Sequence, residues 1–317
     1  MPVSVITTLK NEEKAIGPFL EGLLAQSRKP DEIVIVDGGS SDRSREKIEE
    51  FVERGAPVKV ILLPGNRAVG RNAAIRNAQY ELIASSDVGS IPDANWLENI
   101  IEPLEKDSGA DVVSGITLPS ASSLFEHCVA VINLPEATDI DPENFLPSSR
   151  SMAFRKSAWK KAGGYPERFS WNEDTLFNFV LKKTGAKFKF ALEAVVYWRP
   201  PASLPHLFRQ FFYYARGDGQ AGIYFKEFYL PKKYLLYALG LVFLLLSIWF
   251  SWLLVVLLLG VILYFAKPLL KALRRTGNWK VLALMPVVIL TRDFSEMTGY
   301  LLGLADRWHD PSYFKRP

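Results

Sequence analysis

The chain has one cysteine, Cys128, among its 317 residues. A single thiol excludes an internal disulfide and any zinc cluster built on thiolates. Histidine is almost as scarce. His127, His206 and His309 are widely separated, which argues against a His-rich metal site. The net charge is only +4, and no Lys/Arg block of the nucleic-acid-binding kind occurs, so no nucleic-acid partner is expected. Met1 is followed at once by "PVSVITT", a β-branched run without a basic leader, and no signal peptide is expected. The largest gap is in charge itself. From Tyr234 to Ala266 there is no charged residue at all.

What is present falls into two parts. Val3 to Thr8, Glu32 to Asp37, Val58 to Leu63 and Leu82 to Ser86 are short runs rich in Val, Ile and Leu. Such runs suit strands buried on both faces of a parallel sheet. Helical patterns lie between them, at Glu12 to Gln26, Ser41 to Glu53 and Val69 to Ala78. This alternation predicts βαβ units and a doubly wound α/β sheet. Ligands bind such sheets outside the carboxyl ends of the strands. Thr8, Asp37 and Asp87 stand there.

After about residue 200, aromatic residues mix with Arg and Lys in "LPHLFRQFFYYARGDGQAGIYFKEFYLPKK". Rings and basic heads of this kind favour a membrane–water interface. The charge-free run follows. As one straight helix it would be roughly 50 Å long, against about 30 Å of hydrocarbon. Two passes folded back at "SIWFSW" fit better, at about 234–250 and 252–266. Lys232 and Lys233 precede the run, and Lys267, Lys271, Arg274, Arg275 and Lys280 follow it. That distribution predicts both ends of the hairpin on the cytoplasmic side of a cell membrane. A third apolar segment, 281–303, carries Arg292, Asp293 and Glu296, with Arg292 and Glu296 at the i, i+4 spacing of a helical pair. It is read as a third span.

Four stretches carry chemistry. "VDGGSSD" ends the second strand at Asp37, with glycines for a tight turn. "GNRAVGRNAAIRNA" places Arg67 and Arg71 at a helix start, a natural place for phosphate or a nucleobase carbonyl. "ELIASSDVGSIPDANWL" carries Asp87 out of a strand. "KKAGGYPERFSWNEDTLFNFVL" opens a helix with Glu173 and Asp174, which can act as a general base under Trp171 or simply satisfy the helix dipole.

In this order and spacing the stretches resemble the membrane-anchored branch of the inverting family 2 glycosyltransferases. "VSVITTLKNEE" is similar to the family's first strand, with Asn11 and Glu12 matching. "VDGGSSDRS" resembles its Asp-rich turn, with Asp37 in the base-binding place and Gly38 where a second Asp is usual. "GRNAAIRNAQYELIASSD" resembles the Ala-Arg-Asn segment and sets Arg71 near the nucleotide. "NEDTLF" resembles the Glu-Asp motif, whose Asp is the base. The family's Asp-x-Asp motif aligns with Asp87 first and Gly89 last, so the usual final metal ligand is absent.

The resemblance implies a GT-A (Rossmann-like) domain at 1–203, interfacial amphipathic helices at 204–231 and transmembrane helices at 232–317. It implies a nucleotide diphospho-sugar donor contacted by Thr8, Leu9, Asn11, Glu12, Asp37, Arg71, Asp87 and Val88. A divalent Mg or Mn ion would sit at Asp87. Asp174, with Glu173 beside it, would take the proton of the acceptor near Trp171. The leaving diphosphate needs its charge neutralised, by that ion or by arginines such as Arg150, Arg155 or Arg216. The apolar tail implies a lipid-linked acceptor, its phosphate meeting Arg209, Arg216 or Lys226. Competing readings are an inactive sugar-nucleotide-binding protein, a processive polysaccharide synthase and a sugar-1-phosphate nucleotidyltransferase. The processive motif Gln-x-x-Arg-Trp is not apparent, and "TTLKNEE" lacks the glycines of a triphosphate loop.

Overall fold

Strand β2 (Glu32–Asp37) is buried at every position, because both faces of the sheet around it are covered. Successive side chains alternate between the two faces. Ile33 and Ile35 join one core with Val3 and Val5 of β1 (Val3–Leu9), whereas Val34 and Val36 join the other with Ile6. The computed structural model describes residues 1–141, 145–223 and 229–314. Lys226, one of the expected lipid-phosphate contacts, lies outside them.

The remaining strands are β3 (Val58–Leu62), β4 (Leu82–Ser85), β5 (Ser90–Pro92), β6 (Val112–Pro119), β7 (Met152–Arg155) and β8 (Phe188–Trp198). Among the described residues they form one sheet in the order β3-β2-β1-β4-β7-β6-β8-β5. The half from β3 to β4 is parallel, as the buried apolar runs predict. The other half is mixed. β7 runs antiparallel to both β4 and β6, β6 runs parallel to β8, and β5 runs antiparallel to β8. The four apolar runs read as parallel strands end with β4, and the direction reverses at β7, which lies between β4 and β6.

Helices α1 (Ile16–Leu24), α2 (Ser44–Glu53), α3 (Arg67–Asn77) and α4 (Trp96–Lys106) alternate with the early strands. Asn66 caps α3 by accepting the Val69 amide at 3.0 Å. Further along come α5 (Leu124–Asn133), α6 (Lys156–Ala162) and α7 (Glu173–Lys183).

The chain divides into two compact units. The first comprises residues 1–120 and 135–199, and the second residues 121–134 and 200–316. The first unit therefore ends close to the expected boundary at 203. Helix α5, however, belongs to the second unit, where Cys128, Val129 and Val131 join an apolar core with Leu207, Met285 and Val288.

That second unit also contains α8 (Leu204–Ala221), α9 (Tyr229–Leu246), α10 (Trp252–Thr276) and α11 (Val281–His309). The expected fold-back lies between α9 and α10. Tyr237 of α9 and Tyr264 of α10 face each other at 6.5 Å, and both hydroxyls donate to Asp293 of α11. Helix α10 does not stop at Ala266, where the charge-free run ends, but continues to Thr276 through the basic residues. Charge marks the edge of the apolar run, not the end of the backbone hydrogen bonding. Among the described residues, α10 is the helix long and apolar enough to cross a membrane, and its apolar side chains are largely exposed.

The charges of α11 are paired, though not as the spacing predicts. Arg292 donates to the neighbouring Asp293 at 2.8 Å, and Glu296 takes the ammonium of Lys233. Lys233 also lies 3.0 Å from Asp293, which is fully buried.

α8 and α11 approach closely because glycines line the contact. A Cβ at Gly303 would overlap the Arg216 carbonyl, and one at Gly299 would overlap the Phe212 carbonyl. Backbone cannot yield as a side-chain tip does. Gly303→Ala is therefore expected to cost about 1–3 kcal/mol, the usual penalty of overpacking. Thermal unfolding in detergent should show a lowered midpoint, and an unchanged midpoint would contradict the contact.

Candidate active site

Four segments of the first unit converge at the carboxyl ends of β1, β2 and β4. The loop after β1 is tied to the loop after β2. The Asn11 amide donates to Ser40 Oγ at 2.9 Å, and Asn11 Oδ1 accepts the Ser41 amide at 2.8 Å. Asn11 holds φ +58, a left-handed conformation that asparagine tolerates. The Glu12 amide donates to Ser44 Oγ at 2.8 Å. Asp37 is buried, and its Oδ1 accepts the amides of Gly39 at 3.0 Å and Ser40 at 2.8 Å. That oxygen therefore closes the turn. Thr8 donates its hydroxyl to the Val36 carbonyl at 3.1 Å.

The centre of the site is Arg71, only 2% exposed. Its Nη2 donates to Asp87 Oδ1 at 2.7 Å, its Nη1 to Glu173 Oε1, and its guanidinium lies 5.6 Å from the centre of the Tyr165 ring. The sequence reading gives Arg71 to the nucleotide. In the structure it joins two carboxylates far apart in sequence, a use that suits its planar fork. Burial pushes the Glu173 carboxyl up and the charge of Asp174 adds to this, with Arg71 opposing both. At Asp87 burial also acts upward, but Arg71, Arg150 and Arg67 together outweigh it and leave the carboxyl below the usual range. Glu12 is raised, chiefly by burial, against the pull of Arg67.

Asp174 follows Glu173 but is only half-buried. Its Oδ1 accepts the Thr175 amide at 2.9 Å and its Oδ2 the Ser149 amide at 3.4 Å. Helix α7 begins at this pair, after Asn172 at φ +57. Ser149 is held in turn, its carbonyl accepting from Ser85 at 3.0 Å and its hydroxyl 3.2 Å from that of Tyr165.

The loop that carries Tyr165 is pinned by Asn72. The Asn72 Oδ1 accepts the Tyr165 amide at 2.8 Å and Trp159 Nε1 at 2.9 Å, while its Nδ2 donates to the Tyr165 carbonyl at 2.8 Å. Two arginines stack on tryptophans nearby. Arg67 lies 5.0 Å from the Trp171 ring centre, and Arg150 lies 4.5 Å from that of Trp198.

Several expected site residues are placed otherwise. Leu9 and Val88 bury their side chains in the apolar core. Arg155 lies at the opposite end of the sheet, opposite Leu82 in register rather than beside Asp87. Its guanidinium donates to the carbonyls of Leu104 at 2.7 Å and Ala110 at 2.9 Å, closing the end of α4. Arg209 and Arg216 lie on α8, in the second unit. Arg216 forms a two-point ion pair with Asp306, at 2.6 and 3.1 Å. Ser149, Tyr165 and Trp198 were missed by sequence reading. Tyr165 follows the Gly163–Gly164 pair of the fourth stretch, but Ser149 and Trp198 stand in no charged or glycine-rich motif; tertiary contact sets Tyr165 against Arg71, Ser149 against Asp174 and Trp198 against Arg150.

Gly89 stands at φ +133, a conformation that L side chains rarely adopt, although a Cβ there would meet nothing within 4 Å. The backbone is thus shaped for glycine. Among the described residues, no group of three or more His, Cys, Asp or Glu side chains could hold a metal ion. Asp87 offers a single carboxylate with one oxygen already on Arg71. This donor set does not fit an ion held by protein ligands alone.

A half-parallel sheet with carboxylates and arginines at its strand ends is the arrangement of a GT-A glycosyltransferase domain. Residues 4–157 match the sequence profile of glycosyl transferase family 2, and that part of the chain is a glycosyltransferase domain of the family. It is 28% identical over 199 residues to the succinoglycan biosynthesis protein ExoA of Rhizobium meliloti, covering 58% of this chain and 59% of that protein. It is 32% identical over 131 residues to the undecaprenyl-phosphate 4-deoxy-4-formamido-L-arabinose transferase of Edwardsiella ictaluri, covering 39% of each. The chain thus spans less than two thirds of these relatives. Its fold is similar to that of the mannosyltransferase PcManGT from Pyrobaculum calidifontis, solved with GDP-Man and Mn2+. There the TM-score is 0.58 at 19% identity, covering 96% of this chain and 86% of that one.

Proposed function

We propose that the chain transfers a sugar from a nucleotide diphospho-sugar to a lipid-linked acceptor with inversion, and that Asp174 is the general base. The observation that carries this reading is the inequality of two adjacent carboxylates. Glu173 is buried and matched by Arg71, so its charge is already satisfied. Asp174 is half-buried and bonded mainly to backbone amides, which leaves it in reach of an incoming hydroxyl. In the displacement the acceptor oxygen bonds to the anomeric carbon and its proton passes to Asp174. The bond from that carbon to the diphosphate breaks, and its electron pair stays on the diphosphate oxygen. Asp37 and the loops after β1 and β2 would receive the nucleoside, and Asp87 the ribose or the phosphates.

The acceptor class rests on the tail. The exposed apolar surface of α10 and the aromatic α8 support a membrane location. The basic residues flanking the α9–α10 hairpin support a multi-pass arrangement with the catalytic unit in the cytoplasm. A shallow groove on α8 lined by His206, Phe208, Arg209, Phe212 and Tyr213 would suit a lipid phosphate with its first isoprene units. The similarity to an undecaprenyl-phosphate sugar transferase is in keeping with this.

The test is a screen of UDP-, GDP- and dTDP-sugars against membranes or polyprenyl phosphate, reading sugar transferred into the lipid phase. One donor class should label the lipid. Transfer from none of them, or release of pyrophosphate from a nucleoside triphosphate, would overturn the reading.

A further inference from the structure

We propose that Tyr165 is a positioning residue for the transfer, and that its hydroxyl, acting through Ser149, fixes the angle at which the Asp174 carboxylate meets the acceptor. The inference rests on the transferase reading above and names what sets the geometry of that reading's base.

A general base works only when its oxygen lies within hydrogen-bond reach of the proton it takes. A misplacement of about 1 Å can cost as much as 10²-fold. The two oxygens of Asp174 are held differently. Oδ1 accepts the Thr175 amide at 2.9 Å, a contact inside its own helix. Oδ2 accepts the Ser149 amide at 3.4 Å, from the segment that precedes β7. The second contact sets the carboxylate against the rest of the site. It is near the limit of a hydrogen bond, so a small shift of Ser149 would break it.

Ser149 is fully buried and is held from two sides. Its carbonyl accepts the Ser85 hydroxyl at the end of β4, and its own hydroxyl lies 3.2 Å from that of Tyr165. Tyr165 is buried too, and it touches three parts of the site. Its ring stacks on Phe177 of α7, one turn beyond Asp174, with centres 4.1 Å apart. Arg71 lies by the same ring, between Asp87 and Glu173. Asn72, the next residue of α3, bonds both the amide and the carbonyl of Tyr165 at 2.8 Å. Gly164 permits that approach, because a Cβ there would lie 2.8 Å from Asn72 Oδ1.

The ring alone would explain the packing, and phenylalanine would serve as well for that. A buried hydroxyl needs a partner, and among the described residues this one has Ser149. Burial pushes the Tyr165 phenol up, so it stays a neutral hydroxyl. The donor-side residues of α3 and the base of α7 thus share one support.

The experiment is steady-state kinetics of the full chain in detergent, with polyprenyl phosphate and UDP-, GDP- and dTDP-sugars as substrates. Calorimetry with UDP, GDP and dTDP measures nucleotide binding. Tyr165→Phe keeps the ring and removes the hydroxyl. It is expected to lower kcat about 3–10-fold, the effect of one hydrogen bond of ordinary strength. Donor KM and nucleotide affinity should stay as in the parent, which also reports that the variant is folded. Ser149→Ala keeps its amide on Asp174 and should show the same split. Because the two hydroxyls form one link, the double variant should be no slower than the slower single one. Parental kcat in Tyr165→Phe, losses that multiply in the double variant, or a fall in nucleotide affinity equal to the fall in kcat overturns this inference and leaves the transferase reading intact. Absence of transfer by the parent protein from every donor overturns both.

Discussion

Asp174→Asn is expected to lower sugar transfer by about 10²–10⁴-fold, the range over which a positioned general base contributes, while donor binding stays as in the parent. The amide is nearly isosteric, so Asn can keep its oxygen on the Thr175 amide, and only the long contact to Ser149 is perturbed. What it cannot do is accept a proton. A loss in turnover with unchanged donor affinity therefore isolates proton transfer from binding. Glu173→Gln serves as the companion. Its carboxylate is engaged by Arg71, so the change should disturb stability and donor affinity more than the proton-transfer step. Unchanged turnover in Asp174→Asn would remove this residue as the base. It would also revive the reading of an inactive sugar-nucleotide-binding protein, for which Gly38 and Gly89 are the sequence arguments.

Arg71→Met is expected to be the most damaging single change to the first unit. It leaves Glu173 buried without its countercharge and frees Asp87 from the contact that orients it. Removing one partner of a buried ion pair typically costs about 3–5 kcal/mol, mostly because the other charge is stranded. Arg71→Lys should recover little, since an ammonium cannot serve two carboxylates with a planar fork. The double change Arg71→Met/Glu173→Gln should regain part of the loss by removing the stranded charge, and chemical denaturation in detergent measures all three. If Arg71→Met proves as stable as the parent, the buried triad is not what holds α3, the loop after β4 and α7 together.

Much of the first unit was legible because its signals are local. The apolar runs at Val3, Glu32, Val58 and Leu82 each became a strand, with ends within a residue of those expected. Buried parallel strands announce themselves by composition alone. Strand β7 was not legible, since "MAFR" is too short to show a period and owes its place to β4 and β6 on either side. The site divides in the same way. Asp37, Asp87, Glu173 and Asp174 could be picked out because a carboxylate at a strand end or a helix start has a local reason to be there. Arg155 also looked like a phosphate ligand, but the antiparallel direction of β7 carried it to the far end of the sheet.

The sequence by itself determined the class of fold, the family, the apolar tail and the carboxylates available for chemistry. Each of these depends on residue type and spacing along the chain. The tertiary structure alone decided how those residues are paired. It set Arg71 between Asp87 and Glu173, stacked Arg67 and Arg150 on tryptophans, and tied Ser149 to Asp174. Such pairings join residues far apart in the chain, and the value of a buried charge depends on which partner the fold brings to it.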